Sequence, residues 1–343
     1  LLYLGLAIVV PHLIGSGREA IVEAATTRGL LNGGVTAAVD KQVVAALPRT
    51  PALDGVMAGL TYLALNDAGP QVRAGCPGWL YIAEEVIYQK GGAENLKARV
   101  RLAAKIRDVF AAQGVALVVM PVPDKSMMVP DGLCGLAVSP QAKGRLAAWR
   151  AQSAALGLDQ VDLVPGFPKD GFLRTDTHWN TTGARFAADR LAAEITKRLG
   201  PGPQKVSLTE SAPKPRIGDL MRLSSLDRSY EWSGPSPDIQ AETSIAIART
   251  GGLLDDVAAP SVVLAGSSFS RNSGFADYLA AALSREVAQK SRDGGGFAGA
   301  LLDIIENSPQ ILKETRLVVW EMPVRTLTQP LTEAERRFLG DKT

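Results

Sequence analysis

Apolar positions alternate between helical periods and unbroken runs along most of the chain. Leu96, Val100, Ala103, Ile106 and Phe110 recur at helical spacing between Glu94 and Gln113, which predicts a helix closed by Gly114. Val115 to Met120 is then continuously apolar, the pattern of a strand covered on both faces in a parallel sheet. Pro121 and Pro123 predict its end and place Asp124 and Lys125 on the loop beyond it. The alternation repeats with a helix over residues 141–156, a short strand over 161–164 and a helix from Thr181 to Leu199. That last helix carries Ala187, Leu191, Ile195 and Leu199 on one face and is stopped by Gly200-Pro201. Further strands are predicted at Val262 to Ala265 and Leu317 to Trp320, with helices near Phe275 to Glu286 and after the glycine triplet Gly294 to Gly296. Gly78 to Ile82 reads as a short aromatic strand. Helices alternating with buried strands specify an α/β fold with a mainly parallel sheet.

Two regions lack a long period. The first 70 residues are rich in Ala and Gly and predict short amphipathic helices and loops. Residues 203–260 are richer in Pro, Ser and Asp and read as an irregular insertion or lid region. The segment Leu1 to Gly15 is apolar apart from His12, yet too short for a bilayer, which takes roughly 20 apolar residues. It reads as the remnant of a signal anchor or signal peptide, residues 1–18, with a buried helix or strand as the other reading.

Composition removes some functions. The 37 basic and 35 acidic side chains nearly cancel, and no basic stripe interleaves with aromatics, so nucleic-acid binding is set aside. Hydrophobic residues at 46% and charged residues at 21% rule out a disordered chain. Cys76 and Cys134 are either a disulfide, which an exported compartment permits, or two unrelated small core residues. Two histidines and two scattered cysteines give no metal-ligand spacing, and no cofactor is implied.

The chemistry concentrates in two segments. Arg174-Thr175-Asp176-Thr177-His178-Trp179-Asn180 holds the one histidine outside the apolar terminus, beside a carboxylate that can fix its tautomer. The competing reading is a cap for the following helix, with Asn180 or Thr181 as N-cap. Gly266-Ser267-Ser268-Phe269-Ser270 follows the strand Val262 to Ala265, where a helix N-terminus offers free N–H groups to a developing oxyanion. The competing reading there is a serine-rich turn. Together the segments supply a triad in the order Asp176, His178, Ser268, and such orders vary between folds.

The Asp-x-His-Trp-Asn segment, the later Gly-Ser-Ser-Phe-Ser and Trp320-Glu321-Met322-Pro323-Val324-Arg325 are similar to the alginate O-acetyltransferase family of the AlgJ/AlgX type. Gly78-Trp79-Leu80-Tyr81 with Glu84-Glu85, and Pro121-Val122-Pro123-Asp124-Lys125, fit the same resemblance. It implies an SGNH-hydrolase-like domain with circularly permuted motif order over residues 30–330, leaving 331–343 as a C-terminal tail. It further implies Ser268 as the acetyl-accepting nucleophile, His178 as its base and Asp176 as the orienter of that base. The implied setting is the periplasm, with inner-membrane attachment through the N-terminal segment. A membrane-bound O-acyltransferase is the implied acetyl donor, and a polysaccharide is the acceptor. Candidate substrate contacts are Lys125, Trp179, Asn272, Glu321 and Arg325, with Asn272 also a possible oxyanion donor and Glu321–Arg325 a possible internal ion pair. The same site used with water would make an acetylesterase, and the fold without chemistry would make a polysaccharide-binding or assembly factor.

Overall fold

The computed structural model describes residues 2–46, 50–248 and 260–340. It divides into two compact units, Leu1–Met57 and Ala58–Thr343. The first is helical, with helices over Leu2–Ile14, Arg18–Ala24, Thr27–Leu31 and Gly34–Ala46. His12 belongs to this unit, its Nε2 lying 3.0 Å from the Gln42 side-chain oxygen. Among the described residues no single helix is long and apolar enough to cross a membrane, although Gly5–Ile14 and Arg18–Ala24 together have the length and composition of a span bent by 63°.

The larger unit is built on a five-stranded parallel sheet. Its strands are β1 (Ala116–Val122), β2 (Asp159–Gln160), β3 (Val262–Ala265), β4 (Val287–Gln289) and β5 (Leu317–Pro323), in spatial order β4-β3-β5-β1-β2. Helices α1 (Gly92–Ala112), α2 (Pro140–Ser153), α3 (Thr181–Leu199), α4 (Phe275–Leu283) and α5 (Gly299–Asn307) flank it. The strands read as continuous apolar runs because both faces are covered. On β5, Val318, Trp320 and Met322 face a core with Ile106, Phe110, Trp149 and Phe297, while Leu317 and Val319 face one with Leu191, Ile195, Trp179 and Leu279. Val263 and Ala265 on β3 alternate in the same way with Val262 and Leu264.

Three expectations shift. Pro121 does not end β1, which pairs with β5 through Val122, Pro121 standing opposite Met322. The outer neighbour β2 pairs only with Val118 and Val119, so the proline's missing N–H leaves no ladder bond unmade there. The strand expected at 161–164 lies instead at Asp159–Gln160, and only the Val161 N–H continues the pairing, to the Val119 carbonyl at 2.8 Å. The expected tail carries a helix, Glu333–Leu339, which opens with a Thr332–Glu335 capping box. Glu335 also meets Arg99 of α1 at 3.1 Å in a buried pair.

The stretch 203–260 is more ordered than its composition suggested. Lys205–Glu210 pairs with Thr243–Ala248 and Lys214–Arg216 with Asp238–Gln240, both antiparallel. Short helices at Asp219–Leu223 and Tyr230–Ser233 lie between them. Residues 249–259 of that stretch, and 341–343 of the expected tail, lie outside the described residues. Near the start of the unit, Leu80–Ile82 pairs with Val72–Ala74, and the Cys76–Cys134 disulfide ties that hairpin to the loop after Pro130–Gly132.

Candidate active site

Loops at the carboxyl ends of the strands converge, as parallel α/β sheets favour. After β3 the chain passes through Gly266 and Ser267 into one helical turn, Ser268–Arg271. Ser267 caps that turn, its Oγ accepting from the Phe269 N–H at 3.1 Å. The second loop is a hairpin in which Phe172 bridges Trp179 and the Leu173 N–H donates to the His178 carbonyl at 3.1 Å. Asn180 caps α3, its Oδ1 accepting from the Gly183 N–H at 3.0 Å. Asp176 and His178 are therefore not spent on capping.

These two residues meet the serine turn. His178 Nδ1 lies 2.6 Å from Asp176 Oδ1, and its Nε2 lies 2.7 Å from Ser268 Oγ. An ionised Asp176 keeps the ring hydrogen on Nδ1, leaving the Nε2 lone pair to accept from the serine hydroxyl. The carboxylate is itself held. Oδ1 also accepts from the His178 N–H at 3.0 Å, and Oδ2 accepts from the Asp219 N–H at 3.1 Å and from Arg216 at 3.3 Å. Burial alone would raise this carboxyl, but bonding and charge from His178, with Arg216, outweigh it and hold it well below the usual range. Gly218 permits the approach of Asp219, since a Cβ there would stand 2.0 Å from the Thr175 carbonyl oxygen.

Asp176, His178 and Asp219 bring ligand-type atoms within 4.8 Å of one another. Asp176 already points its lone pairs at N–H donors, and Asp219 Oδ1 accepts from the Thr177 N–H at 2.7 Å. The cluster works as a clamp on the imidazole. Ser268 is half-buried, and its own N–H has no acceptor among the described residues.

The remaining sequence candidates are placed differently from a row of sugar contacts. Lys125 is buried, and its ammonium donates to the carbonyls of Leu173, Arg174 and Asp176 at 3.0, 3.2 and 2.9 Å. It also lies over the Tyr81 ring at 5.0 Å. Burial lowers its pKa to about 8 against the opposing pull of Glu85 and Asp176. Trp179 is fully buried, packed on Phe269 and Phe275 at 5.1 and 5.0 Å between ring centroids. Asn272 is turned inward, with Nδ2 donating to the Ser268 carbonyl at 2.8 Å and Oδ1 accepting from Arg216 at 2.7 Å. The expected Glu321–Arg325 pair does not form. Glu321 lies under the serine turn, whereas Arg325 stands 3.7 Å from Glu84 and 3.8 Å from Glu85 with its guanidinium 5.5 Å from the Phe269 ring centroid. A cleft of about 1000 Å³ opens beside the His178 hairpin, with Trp79, Phe172 and Arg174 in its walls.

Periodicity could not single out Arg216 or Asp219, because both lie in the stretch without a period. A glycine followed by a helix-starting aspartate, Gly218-Asp219, was the one local signal.

Comparison with known proteins agrees with this architecture. The family described as SGNH hydrolase-like domain, acetyltransferase AlgX, matches residues 72–324. A probable alginate O-acetylase AlgJ of Pseudomonas fluorescens is 29% identical over 342 residues, covering 95% of this chain and 86% of its own length. The solved O-acetyltransferase domain of Pseudomonas putida AlgJ superposes with a TM-score of 0.70 at 25% identity, covering 80% of this chain and 100% of that one. Pseudomonas aeruginosa AlgX shares the fold, with a TM-score of 0.55 at 18% identity over 78% of this chain and 65% of that one. With the matched family spanning most of the chain, and the sheet and converging loops in place, this protein belongs to the SGNH hydrolase-like acetyltransferase family of the AlgX type.

Proposed function

We propose that this protein O-acetylates hydroxyls of an exported polysaccharide, alginate or a similar polymer, through an acetyl-Ser268 intermediate. The observation that carries the reading is the unbroken chain from Asp176 through His178 to Ser268, at 2.6 and 2.7 Å.

His178 Nε2 takes the hydroxyl proton as Ser268 Oγ attacks the carbonyl carbon of an acetyl donor. The tetrahedral oxyanion receives the unengaged Ser268 N–H, at the start of a helical turn. The C–O bond to the donor breaks, the leaving oxygen collects the proton from His178, and acetyl-Ser268 remains. A sugar hydroxyl then attacks the ester while His178 accepts its proton, and Ser268 recovers that proton as it leaves. Asp176 keeps Nδ1 protonated throughout and stabilises the transient imidazolium. Asn272 and Arg216 brace the Ser268 carbonyl and the Asp176 carboxylate as one unit.

The donor is assigned to a membrane-bound O-acyltransferase, and the setting to the periplasm, with attachment through the apolar N-terminal helices. The Cys76–Cys134 disulfide supports an oxidising compartment. The bent apolar helix pair supports a membrane contact.

Transfer is tested by loading the enzyme from an aryl acetate and adding oligosaccharide acceptors. Transfer predicts acetylated sugar and accelerated loss of acetyl-enzyme. Discharge to water at one rate with or without acceptor would make the protein an acetylesterase instead.

A further inference from the structure

Glu321 sits where no charged partner reaches it. Its side chain is 1% exposed, near the carboxyl end of β5, and no cation approaches it within ion-pair distance among the described residues. Its ligands are the two serines on either side of Ser268. Oε2 accepts from the Ser267 N–H at 2.6 Å, the Ser270 N–H at 3.2 Å and the Ser270 hydroxyl at 2.8 Å. Oε1 accepts from the Ser267 hydroxyl at 2.9 Å.

A second feature points to the same contact. Gly266 precedes these serines, and a Cβ built on it would lie 2.6 Å from Glu321 Oε2 and 2.1 Å from Ser270 Oγ. No conformational demand explains this glycine, because its φ is not in the left-handed region. What it supplies is room for the carboxylate to reach beneath the turn.

We infer that Glu321 is the positioning residue of the nucleophile turn: it gathers the flanking N–H groups of Ser267 and Ser270 inward and so leaves the intervening Ser268 N–H uncommitted and Ser268 Oγ directed at His178. The inference rests on Ser268 being the nucleophile. A buried carboxylate is suited to the task because four donors converge on it, which a neutral apolar side chain would leave unsatisfied. The turn would then relax, and a displacement of about 1 Å at a reacting atom costs on the order of 100-fold in rate.

The test compares Glu321→Gln, Glu321→Leu and Gly266→Ala for the rate of Ser268 acetylation from an aryl acetate, normalised to folded protein. Glutamine keeps an oxygen at the Oε2 position for three of the donors and needs only the Ser267 hydroxyl to turn. Glu321→Gln is therefore expected to stay within about tenfold of wild type, consistent with the loss of one hydrogen bond. Glu321→Leu and Gly266→Ala are expected to lose about 100-fold in the acetylation rate constant with KM changed less than about twofold. Rescue by glutamine separates positioning from mere stability, and Gly266→Ala reads the same contact with Glu321 intact. Wild-type rates in folded Gly266→Ala or Glu321→Leu, or a glutamine variant as slow as the leucine one, would overturn the inference. A wild-type enzyme with no acetyl group on Ser268 would instead defeat the reading of the site beneath it.

Discussion

His178 reaches in two directions, and the two bonds predict different losses. Removing the imidazole in His178→Ala removes the base, and turnover should fall by about 10⁶-fold. Asp176→Asn leaves the shape but lets the ring settle in the wrong tautomer, so a smaller fall of about 10⁴-fold is expected, visible as kcat lost at near-constant KM. Asp176 also couples the site to acid stability. Its folded carboxyl lies below the unfolded value, so its contribution is present above about pH 4 and is lost as pH falls toward the lowered value. Acid unfolding of the asparagine variant should therefore begin from lower stability and show a shallower slope below about pH 4. At this scale Asp176, His178 and Ser268 were legible because histidine is so scarce outside the N-terminus. The placements of Trp179, Glu321 and Arg325 were not, since burial and partner choice are set by strands far apart in sequence. Trp320 faces one core while Glu321, one residue on, turns toward the serine turn, and only the assembled sheet decides that.

Between the strands, a buried charged scaffold shapes the loops. Arg145 of α2 pairs with Asp124 at 2.7 Å and donates to the Glu85 carbonyl at 2.8 Å. Glu85 accepts from the Ser126 N–H at 3.2 Å, and burial, reinforced by Asp124 and opposed by Arg325 and Lys125, raises it to about 7. A raised carboxyl favours the folded state below its unfolded pKa, and that benefit is lost as pH rises through about 7. Glu85→Gln, which keeps the acceptor for Ser126, should gain on wild type between pH 4.5 and about 7, reaching on the order of 3 kcal/mol at pH 8 by urea melts. No gain across that window would show that Glu85 is ionised in the fold without penalty. Lys125→Met strips the donor from three carbonyls of the His178 hairpin and should cost about 2–3 kcal/mol in urea melts. Periodicity found α1, α3, β1, β3 and β5, where an apolar face or run is long. It could not fix the end of β1, because whether a proline is tolerated depends on which neighbour strand is short. Nor did it pick out the paired ribbons of 203–260, where Lys205–Glu210 and Thr243–Ala248 half-bury alternate residues over only six positions and the shorter Asp238–Gln240 buries polar side chains.

The whole chain joins a sheet-based unit to a separate helical one. The disulfide spans 58 residues of sequence, and a loop of that length predicts a loss of about 4 kcal/mol in Cys76→Ser with Cys134→Ser, read by urea melts. In the helical unit Leu6, Val10 and Ile14 are substantially exposed, which the proposed membrane attachment needs. Val10→Asp with Ile14→Asp should therefore reduce co-flotation with anionic vesicles by about tenfold or more while leaving Ser268 acetylation unchanged. The most direct measurement is peptide-level mass spectrometry of wild type and Ser268→Ala after brief exposure to an acetyl donor and acid quench. A single acetyl group on Ser268 of the wild type, absent from the variant and lost when an alginate oligosaccharide is added, is the expected result. Acetyl transfer that proceeds undiminished in Ser268→Ala, or an adduct on some other residue of both proteins, would contradict it.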